Sequence, residues 1–112
     1  MVGVETEVVW TDPALADLDA IGDYIALDNP QAARGLIQRV FARVDQLAAF
    51  PLSGSVPSEL GDSRYRQLVE PPCRVLYRHD PKTRRVHILH VIRSERLLRE
   101  DRLAAGDDPS PM

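Results

Sequence analysis

The fold class this sequence predicts is α+β: an N-terminal strand, an antiparallel helical hairpin packed on a mostly antiparallel sheet, and a short C-terminal helix. Three observations predict it. Apolar residues recur at helical spacing in two adjacent stretches between residues 12 and 50. They follow strand-like patterns before residue 11 and in three stretches after residue 63. The connections between those last three stretches are short, which makes them a meander.

Val4-Glu5-Thr6-Glu7-Val8-Val9-Trp10 alternates as a first strand. Asp12-Pro13 then reads as an N-cap followed by proline at the first helical position. Leu15, Leu18, Ile21 and Ile25 form the apolar stripe of this helix, with Asp17, Asp19 and Asp23 on other faces. Asp28-Asn29-Pro30 breaks it and caps the next helix. There Ala33, Leu36, Ile37, Val40, Phe41, Val44, Leu47 and Ala48 make a wide stripe, ended by Phe50-Pro51. So short a break folds the two helices back on each other.

Residues 51–63 have the glycine, serine and proline composition of a loop. Strands are expected at 64–69, 73–78 and 85–92, separated by Pro71-Pro72 and by a turn at Asp80-Pro81-Lys82-Thr83. Ser94 can cap a last helix from Glu95 to about Leu103. One domain over 1–103 and a disordered tail over 104–112 are the expected organisation. Alternation puts Cys73, Val75 and Tyr77 on the core face of their strand and Arg74, Leu76 and Arg78 on the other. That second face is then expected to be solvent or a binding surface.

At 112 residues the chain has room for one core. The longest uncharged run, Gln46 to Ser58, holds two prolines, a glycine and three serines, so it does not span a membrane. Residues 1–5 lack the basic start and apolar stretch of a signal peptide, and a single cysteine, Cys73, allows no internal disulfide. A cytoplasmic protein is expected. Net charge is −3, unevenly spread: residues 1–63 hold 3 basic and 10 acidic side chains, and residues 64–102 hold 11 basic and 5 acidic. A basic half suggests an acidic partner, unless the two halves neutralise each other across the fold.

No catalytic constellation stands out. Cys73 beside Arg74 reads as a small buried hydrophobe. His87 and His90, three apart on a strand, are expected on opposite faces, which counts against a shared metal, and no glycine-rich phosphate loop is present. No cofactor is expected. Arginines are what remains: Arg66, Arg74 and Arg78 on neighbouring strands, then Arg93, Arg96 and Arg99 at the end of the sheet and in the last helix. Arginine makes paired hydrogen bonds to carboxylates and phosphates, although a solvated sheet face would also explain them.

Several stretches in order resemble the ParE/RelE toxin superfamily over residues 4–99. They are Trp10-Thr11-Asp12-Pro13-Ala14, Asp17-Leu18-Asp19-Ala20-Ile21, Asn29-Pro30-Gln31-Ala32-Ala33 and Phe50-Pro51, then Tyr65-Arg66-Gln67-Leu68-Val69, Cys73-Arg74-Val75-Leu76-Tyr77-Arg78 and Val86-His87-Ile88-Leu89-His90-Val91. The resemblance implies the toxin of a type II toxin–antitoxin pair. RelE-like members cut mRNA on the ribosome with basic sheet residues and an acid–base group near the C-terminus. Arg74 matches one basic position, whereas the stretch from Arg93 to Glu100 offers no tyrosine and has Ser94 where a second arginine is expected.

Those departures, and the acidic overall charge, look like the ParE branch, whose family activity is poisoning DNA gyrase. What the ParE resemblance implies is a non-enzymatic toxin neutralised by a ParD-like antitoxin, meeting operator DNA only through that antitoxin and no membrane. Arg74, Arg93, Arg96 and Arg99 are the candidate target contacts. Arg66 and Arg78 are the candidate antitoxin contacts. A RelE-like mRNA endonuclease and a non-toxic interaction domain are the alternatives.

Overall fold

The computed structural model describes residues 5–61, 64–95 and 103. Along the chain run β1 (Glu7–Trp10), α1 (Asp12–Ala26), α2 (Pro30–Asp45), a 3-10 turn at Gln46–Ala48, another at Ser58–Leu60, then β2 (Tyr65–Glu70), β3 (Cys73–Asp80) and β4 (Arg85–Arg93). The sheet order is β1-β4-β3-β2, with β1 parallel to β4 and the other two pairings antiparallel. The expected architecture is what the chain adopts. The start of the first strand, most of the last helix and the tail lie outside the described residues; Leu103 alone is placed, helical and buried.

Thr11, not Asp12, caps α1. Its hydroxyl accepts from the Ala14 N–H at 3.3 Å and donates to the Ile88 carbonyl at 2.6 Å. One side chain thus satisfies a helix N-terminus and ties it to β4. Asn29 does the same local work for α2, accepting from the Ala32 N–H at 3.0 Å, with Pro30 next in line.

The apolar stripe of α1 is rotated from the expected one. Ala14, Leu18 and Gly22 are buried, and Leu15 is 38 % exposed. A Cβ on Gly22 would lie 2.9 Å from Ile37 Cδ1, so small residues are what let the two helices cross closely. On α2, Ala33, Leu36, Val40 and Val44 are buried as their spacing requires.

One large core joins the helices to one face of the sheet: Leu18, Leu36, Val40, Val44 and Leu47 meet Leu68, Cys73, Val75, Tyr77, Val86, Ile88 and Val91. The expected core face of β3 is therefore correct. The opposite face, expected to be solvent or a binding surface, is covered in part, so the solvent alternative does not hold there. Tyr65, Leu76, Leu89 and Leu103 form a second buried cluster there, with Leu60 and Ile92 packed against it. Strand alternation could not show this, because the cover comes from the loop and the C-terminal segment, whose apolar residues lie far away in sequence.

A bulge in β4 makes both clusters fit. Leu76 pairs with His90 but Tyr77 pairs with Ile88, so Leu89 is an extra residue. The side-chain alternation slips by one at that point. Ile88 and Val91 consequently both serve the helix-side core, and Leu89 and Ile92 both serve the other.

Candidate functional site: the arginine-bearing end of the sheet

β4 continues past the point where β1 turns away into α1, so its last residues lack a strand partner on that side. α1 supplies one. Asp17 accepts from the Val91 backbone N–H at 3.1 Å and from the His90 ring, Nδ1 to Oδ2 at 2.9 Å. Asp17 is thus a clamp on the bulged strand rather than part of a solvated helix face. His90 is satisfied by it.

The clamp sets β4 beside the second half of α1. There Ala20, Ile21, Tyr24 and Arg93 line an open groove. The Arg93 guanidinium carbon stands 5.8 Å from the centre of the Tyr24 ring, and Nε lies 3.2 Å from Glu95 Oε2. An arginine over a tyrosine face is attracted by the ring quadrupole. Tyr24 is 66 % exposed and Leu27, at the end of α1, 81 %. Surface of this kind, aromatic and aliphatic around a positive charge, resembles the anchoring centre of protein interfaces.

Among the described residues, the expected arginines do not converge on one surface. Arg74 is buried on the face away from the helices, 7 % exposed, with its guanidinium forked onto Glu59, Nη1–Oε1 3.0 Å and Nη2–Oε2 2.7 Å. Gln67 Oε1 accepts from Nη1 at 3.2 Å. As an openly exposed contact, Arg74 is corrected by this geometry: the folded chain uses it inside. Arg66 reaches back along the loop, where Nη1 donates to the carbonyls of Leu52 at 3.3 Å and Gly54 at 2.7 Å. It braces the loop that covers the sheet. Arg78, paired in register with His87, is half-buried. Arg93 is the one candidate target contact placed on the groove; Arg96 and Arg99 lie outside the described residues.

Cys73 and Tyr77, both buried on β3, are structural. Burial pushes the Cys73 thiol above its ordinary value, against the opposing pull of Arg93. This side chain is a core residue and not an activated thiolate. Burial likewise raises the Tyr77 hydroxyl, partly offset by the Gly54 N–H, which donates to it at 2.9 Å. Among the described residues no group of three or more histidine, cysteine or carboxylate side chains is placed to hold a metal, and no helix is long and apolar enough to cross a membrane.

Sequence reasoning passed over Glu59, Asp17 and Thr11. Thr11 had a signal, since it directly precedes Asp-Pro. Asp17 and Glu59 had none, because Val91 lies 74 residues from the first and Arg74 15 residues from the second.

The model of the ParE toxin of the type II toxin–antitoxin system parDE matches residues 8–98. Toxin RelE2 of Caulobacter vibrioides is 38 % identical over 91 residues, covering 81 % of this chain and 98 % of that protein. Among solved structures, a chain of the chromosomal ParDE toxin–antitoxin system from P. aeruginosa superposes with a TM-score of 0.67 at 29 % identity, over 83 % of this chain and all of that one. A chain of the RelBE2 toxin–antitoxin complex from Mycobacterium tuberculosis shares the fold, with a TM-score of 0.54 at 24 % identity over 80 % of this chain and 99 % of that one.

Proposed function

The chain belongs to the ParE toxin family of type II toxin–antitoxin systems, and from that premise we propose that it is a non-enzymatic toxin that docks on DNA gyrase, traps the cleaved-DNA state and is held in check by a ParD-like antitoxin. The observation that carries the reading is the position of Arg74. In a RelE-like nuclease the basic strand residue at this position must reach RNA. Here its guanidinium is committed to Glu59 and Gln67 within the fold. What the surface offers instead is the groove of Ala20, Ile21, Tyr24 and Arg93, a surface for binding protein by shape and charge. Arg93 is the target contact assigned to that groove, with Arg96 and Arg99 following it in sequence.

The antitoxin proposal draws on the matched ParDE and RelBE2 structures, which are toxin–antitoxin complexes. An acidic, amphipathic antitoxin segment that folds as it binds would suit the basic half of the chain, with Arg66 and Arg78 among its contacts.

Purified gyrase with relaxed plasmid decides the matter. Added toxin should stop supercoiling and accumulate linear, protein-linked DNA, and the antitoxin encoded beside it should reverse both effects. Normal supercoiling at high toxin excess would sink the gyrase reading. The competing reading is the RelE-like one that the resemblance left open, ribosome-dependent mRNA cleavage, and a translation extract tests it: codon-specific cuts in mRNA would replace the gyrase reading with the nuclease one.

A further inference from the structure

The turn between β3 and β4 is a basic stretch that the groove along α1 leaves unused. Residues 78–87 hold four basic side chains and one acidic, in a chain whose net charge is −3. The one acid, Asp80, is used within the turn, where its Oδ1 accepts from the Lys82 N–H at 3.1 Å. Pro81, Lys82, Thr83, Arg84 and Arg85 are all exposed. The cations of the turn therefore face water while its carboxylate serves the backbone.

Arg84 stands out by its backbone. Its φ is +58°, the one positive value at a non-glycine residue among the described residues. That conformation is held in place, because the Arg84 carbonyl accepts from the Glu7 N–H at 2.9 Å and so joins the turn to β1. Glycine would adopt it without the clash that a Cβ brings. An arginine there accepts strain and places a cation at the tip. Arg85, next in line, pairs with Glu7, Nε to Oε1 at 3.1 Å, with side chains 51 % and 65 % exposed. Water and salt screen so open a pair, and a phosphate can compete for the guanidinium. Three cations within four consecutive residues suit the repeated single charges of a nucleic-acid backbone.

We infer that the β3–β4 turn is a second docking site, for the phosphate backbone of duplex DNA, with Lys82, Arg84 and Arg85 as its contacts. Charges act over about 10 Å at about 0.1 M salt, so a phosphate at the tip meets the turn's own cations rather than the chain's acidic total. Single strands are held by stacking on exposed aromatics as well as by charge, and residues 80–86 include no aromatic side chain. The turn also offers no asparagine or glutamine to read base edges, so binding is independent of sequence. Arg85 and Arg93 stand at the two ends of β4, about 25 Å apart at about 3.3 Å per residue. A toxin seated on gyrase by its groove therefore reaches DNA that the enzyme holds. That reach rests on the gyrase reading; the DNA site itself does not.

The test titrates the full chain, labelled with nitrogen-15, with a short duplex DNA of arbitrary sequence over a series of low salt concentrations. Amide signals of residues 82–86 should move, and those of Ala20, Ile21 and Tyr24 should not. The logarithm of affinity should fall against the logarithm of salt with a slope of about −0.9 per phosphate engaged, so about −2 to −3 for three cations. Arg84→Gly should unfold at or above the wild-type temperature, since glycine suits the backbone, and still reduce the size of that slope by about one. Lys82→Ala should reduce it by a similar step, and Arg84→Lys, which keeps the charge, should bind as wild type does. Signals of 82–86 that ignore DNA, or an Arg84→Gly protein that binds it as wild type does, would overturn the site. Duplex RNA bound more tightly through the same residues would overturn the DNA assignment, as would displacement of the duplex by poly-glutamate at equal charge, which would make the turn a surface for acidic protein. Free DNA is the probe, so this titration and the supercoiling assay fail independently.

Discussion

The two faces of the sheet bury comparable side chains by different means. On the helix side, Val75, Tyr77, Val86 and Ile88 meet two amphipathic helices whose stripes are continuous in sequence. On the other, Leu76 and Leu89 meet Tyr65, Leu60 and Leu103, contributed singly by an edge strand, a loop and the C-terminal segment, and a charged pair sits among them. A face covered by regular elements is cooperative with the whole fold. A face covered by a loop can open in part. The first face draws its cover from continuous elements, and the second from residues far apart in sequence.

The comparison breaks most decisively at Leu36. It is 1 % exposed in the middle of α2 and packs in the main core. Leu36→Ala should cost about 2–5 kcal/mol, enough to remove much of the stability of a domain this small. Toxicity should vanish with it. Urea unfolding of the purified variant checks the loss, and a midpoint within error of wild type would show that the helix-side core is not what holds the sheet.

Next in size is Arg74→Ala. As a surface arginine it would be expected to leave the fold intact. Buried and forked onto Glu59, its loss should cost about 1–3 kcal/mol, because a charge-assisted bidentate pair is removed from a largely buried position. Glu59→Ala should cost comparably, since it removes both oxygens of the fork from the deeper of the two charges. A double-mutant cycle measured by thermal unfolding tests this; strictly additive losses would mean the two groups do not stabilise each other.

How much of this was legible follows from where the partners lie. The hairpin, the meander and the core face of β3 were readable because helical and strand periodicity are local. Asn29 and Pro30 marked the second helix start for the same reason. The rotation of the α1 stripe was not readable. It depends on Ala14 and Gly22 allowing close approach to α2, which is a property of the pair of helices. The bulge at Leu89 was hidden too: it exchanges the faces of the residues after it, and nothing in the run Val86 to Ile92 announces the slip. Of the candidate site, the residue types were legible and their roles were not. Arg74 and Arg93 look alike in sequence, and burial alone separates a brace from a contact.

A smaller effect should appear at alkaline pH. Burial raises the Tyr77 hydroxyl above its ordinary value, so the folded state prefers the neutral phenol. The unfolded phenol titrates near about 10. Its stabilising contribution is complete below that value and declines as pH rises through it toward the folded value. Denaturation midpoints should therefore hold through neutral pH and fall above about 10, and Tyr77→Phe should flatten that fall. The same substitution removes the acceptor for the Gly54 N–H, so its curve should also start lower. An identical alkaline decline in both proteins would assign the effect to other groups.

The smallest change in stability belongs to Arg93→Ala, and it is the one that sharpens the comparison most. Arg93 touches Tyr24 and Glu95 at the open end of the helix-side face, with 40 % of its side chain exposed. Exposed pairs of this kind contribute about 0–1 kcal/mol, so the unfolding midpoint should barely move. Target binding should respond more, because a cation among apolar anchors acts on docking rather than folding. Supercoiling inhibition should weaken in Arg93→Ala and, to a lesser degree, in Arg93→Lys, which keeps the charge and loses the guanidinium over the Tyr24 ring. Tyr24→Ala should weaken it in parallel while also leaving the fold intact. If Arg93→Ala inhibits gyrase as wild type does, the groove along α1 is not the docking surface, and contact must lie elsewhere, with the opposite face of the sheet the first place to look.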